Sequence, residues 1–291
     1  MTAAAPAPGR YYVPHSAHWP IVGSIGLTTM LGGLAVYLNG TDSGLIVMLV
    51  GLAITLGMMF GWFGTVIHES ESGYYRAWED RSFRMGMGWF IFSEVMFFAA
   101  FFGALFYARI YSVPWLGGEG AGAATNALLH QGYSAAWPTN GPADVGGAFD
   151  IIGAWGIPAL NTAILLSSGV TVTLAHWALK KRNRPQLVLW LTATWLLGLI
   201  FVGFQAFEYW EAYTHLNLTL GAGVYGSTFF MLTGFHGFHV TLGAIMLIII
   251  TLRAMKGHFT PQGHFAFEAV AWYWHFVDVV WLGLFMFVYW L

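Results

Sequence analysis

Glu94 stands alone in FIFSEVMFFAAFFGALF, Phe90 to Phe106, where the only other polar side chain is Ser93. At the centre of a bilayer an acid costs about 2.5–3.5 kcal/mol on insertion scales, so a carboxyl there is expected to have a use. It can relay protons, touch lipid or a partner, or stand neutral and hydrogen-bonded within a bundle. Histidines offer a second chemistry. In TGFHGFH, His236 and His239 are three residues apart, on neighbouring parts of one helix face. A metal or haem pair is one use of that spacing. A metal needs three or four ligands, however, and His176 and His275, the other intramembrane candidates, show no convergence in sequence. The small residues beside these histidines favour close helix approach, with the imidazoles bonding across. Glu268, His275 and Asp278 fall close to one face of FEAVAWYWHFVDVVW, a polar stripe expected to face protein. Glu208 and Glu211, beside Tyr209 and Trp210, read as an outer interface with an aromatic belt.

The elements that must position these groups are membrane helices. The chain of 291 residues is 57% hydrophobic and 18% aromatic, and only 8% of it is charged. Soluble domains carry about 25% charged residues. A net charge of −2 gives a nucleic-acid partner no electrostatic support, and the absence of cysteine excludes disulfides and thiolate metal sites. The N-terminal stretch, 1–19, reads as a polar cytoplasmic tail rather than a cleaved signal.

A span needs about 20 apolar residues. Seven segments qualify: Pro20–Leu38, Leu45–Ile67, Ser82–Tyr111, Pro158–Leu179, Gln186–Glu211, Tyr225–Lys256 and Phe267–Leu291. The NGTDSG turn makes the first two a hairpin, 20–67, and the other five spans follow over 82–291. Ten of the eleven Lys and Arg residues, all except Arg109, fall on one side if the N-terminus is cytoplasmic and the C-terminus outside. The connection 112–157 holds no Lys or Arg and is expected on the outer side, loosely ordered at its AGAATNA centre. Trp62, His68, Glu69, Arg253, Lys256, His258 and His264 gather near cytoplasmic helix ends, a composition suited to anionic lipid headgroups or to ordinary snorkelling side chains. No Gly-rich phosphate loop, His-Glu-x-x-His or serine elbow is present.

Six stretches, HESESGYYRAW, SEVMFFAAFFGALF, LNTAILLSSGVTVTLAH, FQAFEYWEAYTH, YGSTFFMLTGFHGFHVTLG and FEAVAWYWHFVDVVWL, occur in this order. Together they resemble subunit III of the haem-copper cytochrome c oxidases, from about Trp19 to the C-terminus. The resemblance implies an all-α, polytopic membrane protein. Its first two helices would stand apart from the other five and leave a V-shaped cleft filled by phospholipids. It implies a non-redox subunit that packs mainly on subunit I, the carrier of the haems and copper, and beside subunit II, which carries the dinuclear copper and docks cytochrome c. The subunit would keep subunit I active, support proton uptake and help oxygen reach the active site during proton-pumping oxygen reduction. No metal, haem or other cofactor is assigned to this chain, and only phospholipids are expected to bind it. Glu94 matches the family's carbodiimide-reactive acid. Trp62, Phe63, His68, Glu69, His239, Arg253, Lys256, His258 and His264 match lipid-binding positions, although Phe63 and His68 stand where the family usually has Trp and Arg. His176, His236, His275 and Asp278 remain as other intramembrane polar groups, and no catalytic residue is expected.

The same subunit of a quinol oxidase is an alternative, because other subunits select the donor. A stand-alone proton channel using Glu94 and the histidines is another, and the absence of repeats and of Pro-broken midplane helices argues against it. An energy-transducing inner membrane, a bacterial cell membrane in particular, is the expected location.

Overall fold

The computed structural model describes residues 11–13 and 17–291. The expected cytoplasmic tail lies largely outside the described residues, as does Arg10. The chain divides into two units, one ending at Met85 and the other beginning at Gly86. Among the described residues, seven helices are long and apolar enough to cross a membrane, and no strand is present.

The first unit contains α1 (Trp19–Leu38), α2 (Ser43–Glu71) and the start of α3 (Ala77–Tyr107). Its packing is made by glycine. The buried residues of α1 are Gly23, Gly26 and Gly33, and those of α2 are Gly44 and Gly51. A Cβ on Gly33 would lie 2.2 Å from the Met48 backbone nitrogen, and one on Gly51 2.1 Å from that of Met30. The two backbones therefore touch, as small residues allow in membranes. Helix α3 starts five residues earlier than hydropathy suggests. The Glu79 carboxylate accepts the Arg76 amide at 2.9 Å, closing the first turn as in a capping box.

The second unit holds the rest of α3, then α4 (Val113–Leu116), α5 (Ala123–Leu129), α6 (Ile157–Lys180), α7 (Arg184–Thr214), α8 (Gly223–Lys256) and α9 (Phe265–Leu284). Helix α7 begins where Asn183 caps the Gln186 amide. Helix α8 ends on Gly257 in the left-handed conformation, whose amide bonds back to Ala254. α6 packs on α7 and α9, and α8 on α7 and α9. Trp274 and Trp281 of α9 fill the centre and are fully buried. Each satisfies its indole N–H on α6: Trp274 donates to Ser168 at 2.8 Å and Trp281 to Thr162 at 2.9 Å.

The expectation of loose order at AGAATNA is corrected. Gly120–Gly122 forms a 3₁₀ turn and Ala123–Leu129 a helix. The Asn126 amide group donates to the carbonyls of Leu116, His130 and Tyr133, so one side chain closes the segment on itself. Asn217 ties the later part of the connection, at Gly146 and Ala148, to the turn between α7 and α8.

Candidate functional site

Glu94 is partly buried on α3, within a cluster of rings. Its carboxylate lies 2.9 Å from His239 Nε2. His239 Nδ1 lies 2.6 Å from the Phe235 carbonyl of its own helix. A carbonyl only accepts, so Nδ1 carries a hydrogen. The contact between Nε2 and the carboxyl then needs a proton of its own, on one partner or the other. Phe98 and Tyr273 flank the His239 ring at centroid distances of 5.0 and 6.3 Å. His239 is only 7% exposed and turns both ring nitrogens to protein atoms.

The two TGFHGFH histidines do not act together. His236 is fully buried and meets the Val277 carbonyl at 3.2 Å, between the rings of Phe201 and Trp281. The polar stripe on α9 also divides. Asp278 is buried where α6 offers Gly169, but His275 is exposed and only grazes Asp278 at 3.5 Å. Glu268 turns elsewhere, to His264 and to His176 of α6. Glu208 is 1% exposed: near the end of α7, it points into the bundle. The aromatic belt around it hid that direction in sequence.

The expected lipid-binding residues fall in both units. In the first, Trp62, Phe63 and His68 are exposed, while Glu69 is partly buried. Glu69 accepts the hydroxyls of Tyr12 at 3.0 Å and Tyr75 at 2.5 Å. The Tyr12 amide donates to Glu79 at 2.7 Å. Glu79, 2% exposed, carried no sequence signal beyond its place in a first turn. Burial raises the affinity of both phenols for their protons, and the hydrogen bonds to Glu69 act in the same direction. A detached tyrosine ionises near pH 10. The contact is thus complete below about pH 10 and weakens as pH rises beyond it. Limited proteolysis against pH should show the segment around Tyr12 protected at neutral pH and cleaved in alkali, with the protection reduced at all pH values in Tyr75→Phe.

In the second unit, Arg253 sits over the Phe259 ring, 4.9 Å from its centroid. Lys256 is exposed and His258 partly buried beside it. Arg184 donates to the Ala254 carbonyl at 3.0 Å. That bond brings the basic turn Lys180–Arg184 to the end of α8. A groove there is lined by Arg182, Arg184, Gly257, Phe259 and Thr260. In sequence, Arg182 and Arg184 signal only orientation. His264 is buried and faces His176 and Glu268 rather than this groove.

Seven spans, a basic helix end and an acid–histidine pair within the bundle define a polytopic helical membrane protein. Comparison narrows the class. The family model for cytochrome c oxidase subunit III matches residues 10–128 and 132–291. The chain is 43% identical to cytochrome c oxidase subunit 3 of Marchantia polymorpha over 282 residues, 96% of each chain. It is 42% identical to that of Arabidopsis thaliana over 282 residues and 41% to that of Cyprinus carpio over 283, again covering 96% of each chain. The chain belongs to the cytochrome c oxidase subunit III family. It is a multi-pass membrane subunit of the terminal oxidase and works in a complex with other oxidase subunits.

Proposed function

We propose that this chain is the non-redox core subunit that holds phospholipid and steadies the catalytic subunit while oxygen is reduced to water. Subunit I is its main contact, subunit II lies nearby, and the haems and copper belong to those partners. Cytochrome c reaches the chain only through the complex. The observation that carries the lipid reading is the basic end of the second unit. There Arg184 is bonded to the end of α8 and Arg253 is stacked on Phe259, with Arg182 and Lys256 adjoining. Clustered cations at a helix end attract anionic headgroups at about 1 kcal/mol each. The positive side is the cytoplasmic side of a bacterial cell membrane, with the C-terminus outside. The pairing of Glu94 with His239 inside the bundle suits a supporting place beside proton uptake, not a conducting path of its own.

Arg253→Ala tests the lipid reading. The oxidase purified in mild detergent should bind anionic phospholipid roughly fivefold more weakly, the equivalent of about 1 kcal/mol, and should inactivate sooner during turnover. Unchanged lipid content and lifetime would remove Arg253 from the headgroup set.

A further inference from the structure

We propose that His176, His264 and Glu268 form a zinc site that ties the end of α6 to the start of α9. His176 Nε2 and His264 Nε2 lie 3.4 Å apart. His264 Nε2 lies 3.2 Å from Glu268 Oε1, and His176 Nε2 lies 3.6 Å from the same oxygen. Zinc holds nitrogen and oxygen donors at about 2.0–2.1 Å in a tetrahedron, whose ligands are then about 3.3 Å from one another. The three observed separations bracket that value. An octahedral ion at the same bond length would draw the donors to about 2.9 Å.

The rings are also prepared as ligands. His264 Nδ1 faces the Thr260 carbonyl at 3.0 Å. A carbonyl accepts only, so Nδ1 carries the hydrogen and a neutral ring leaves Nε2 bare. The Thr260 backbone is itself fixed: its amide donates to the Gly263 carbonyl at 3.2 Å and its hydroxyl accepts the Gly263 amide at 3.0 Å. With the ring neutral, that Nε2 sets a lone pair against a carboxylate oxygen, and a hydrogen placed on it would answer only one of the contacts. One hydrogen on His176 Nε2 cannot bridge all three donors, whereas one cation can.

His264 is 8% exposed, and the side chains of Glu268 and His176 are 13% and 25% exposed. The donors are thus inside the protein but reachable from solvent. Glu268 supplies the single negative charge. Lys180, a turn beyond His176 on α6, is exposed and free to swing into solvent. Two imidazoles and one carboxylate favour zinc over magnesium, which takes oxygen ligands. The site departs from the sequence expectation that the chain holds no metal. Its role is a staple across the basic end of the second unit, not electron transfer.

The test uses the purified oxidase complex, stripped with a chelator and titrated with a zinc salt. Bound zinc is counted per complex by mass spectrometry. Wild-type complex should take up one more zinc than His264→Ala, and magnesium in excess should not displace it. Glu268→Gln, which keeps the side-chain volume, should weaken that zinc by more than about tenfold. On the wild-type complex, anomalous diffraction at the zinc edge should give a peak enclosed by the three donor atoms, which decides the matter even where a variant fails to assemble. Equal zinc in wild type and variants, or peaks only elsewhere at saturating zinc, would overturn the assignment.

Discussion

Trp274→Ala should destabilise the second unit by about 3–5 kcal/mol, the range for deleting a buried aromatic ring. The indole is fully buried. A Cβ on Gly198 of α7 would lie 2.5 Å from the ring, and one on Gly243 of α8 2.7 Å from it. The ring is thus the wedge on which two helices rest, and its N–H closes on Ser168 of a third. Alanine would leave a void bordered by two glycines, which have no side chains to fill it, and would take from the Ser168 oxygen the N–H that it accepts. Thermal release of this chain from the purified oxidase measures the effect. Trp274→Ala should lower the release temperature sharply, whereas Trp272→Ala, two residues away and 38% exposed, should change it little.

Gly33→Leu should separate the first two helices. The new Cβ would lie 2.2 Å from the Met48 nitrogen and 2.7 Å from the Val47 carbonyl carbon. These are backbone atoms and cannot turn aside as a side chain would, so the helices must part. Overpacking costs about 1–3 kcal/mol where side chains can yield and more where they cannot. Gly32→Leu is the matched control, because nothing lies within 4 Å of a Cβ at Gly32. Cross-linking between cysteines introduced on facing positions of α1 and α2 should fail in Gly33→Leu and persist in Gly32→Leu.

Hydropathy located all seven spans, because an apolar run of that length has few other uses in water or lipid. The ends were less legible. Glu79 extends α3 backward and Asn183 starts α7 early, and both act through a side chain bonding to one amide, which no window average detects. The glycine seam of α1 and α2 went unread in sequence, because only the partner helix shows which glycines meet a backbone. Long-range pairs were the hardest to read. Glu94 and His239 are 145 positions apart, and His176 and His264 are 88. Each is locally an isolated polar residue, and only packing shows that Glu94 has a partner and that His236 and His239 look in different directions. The family motifs carried function further than the residues alone did, since they identify the complex in which the chain works. At His239 they name a lipid-side position, and packing adds that the imidazole is bonded within the protein at both nitrogens.

Removing this chain from the purified oxidase with detergent tests most directly whether it supports electron transfer without carrying electrons. The haem and copper spectra and the initial rate of oxygen reduction should stay close to those of the intact complex, while the number of turnovers before inactivation falls. Loss of haem or copper with the chain, or an initial rate that drops in proportion to the chain removed, would contradict a supporting role.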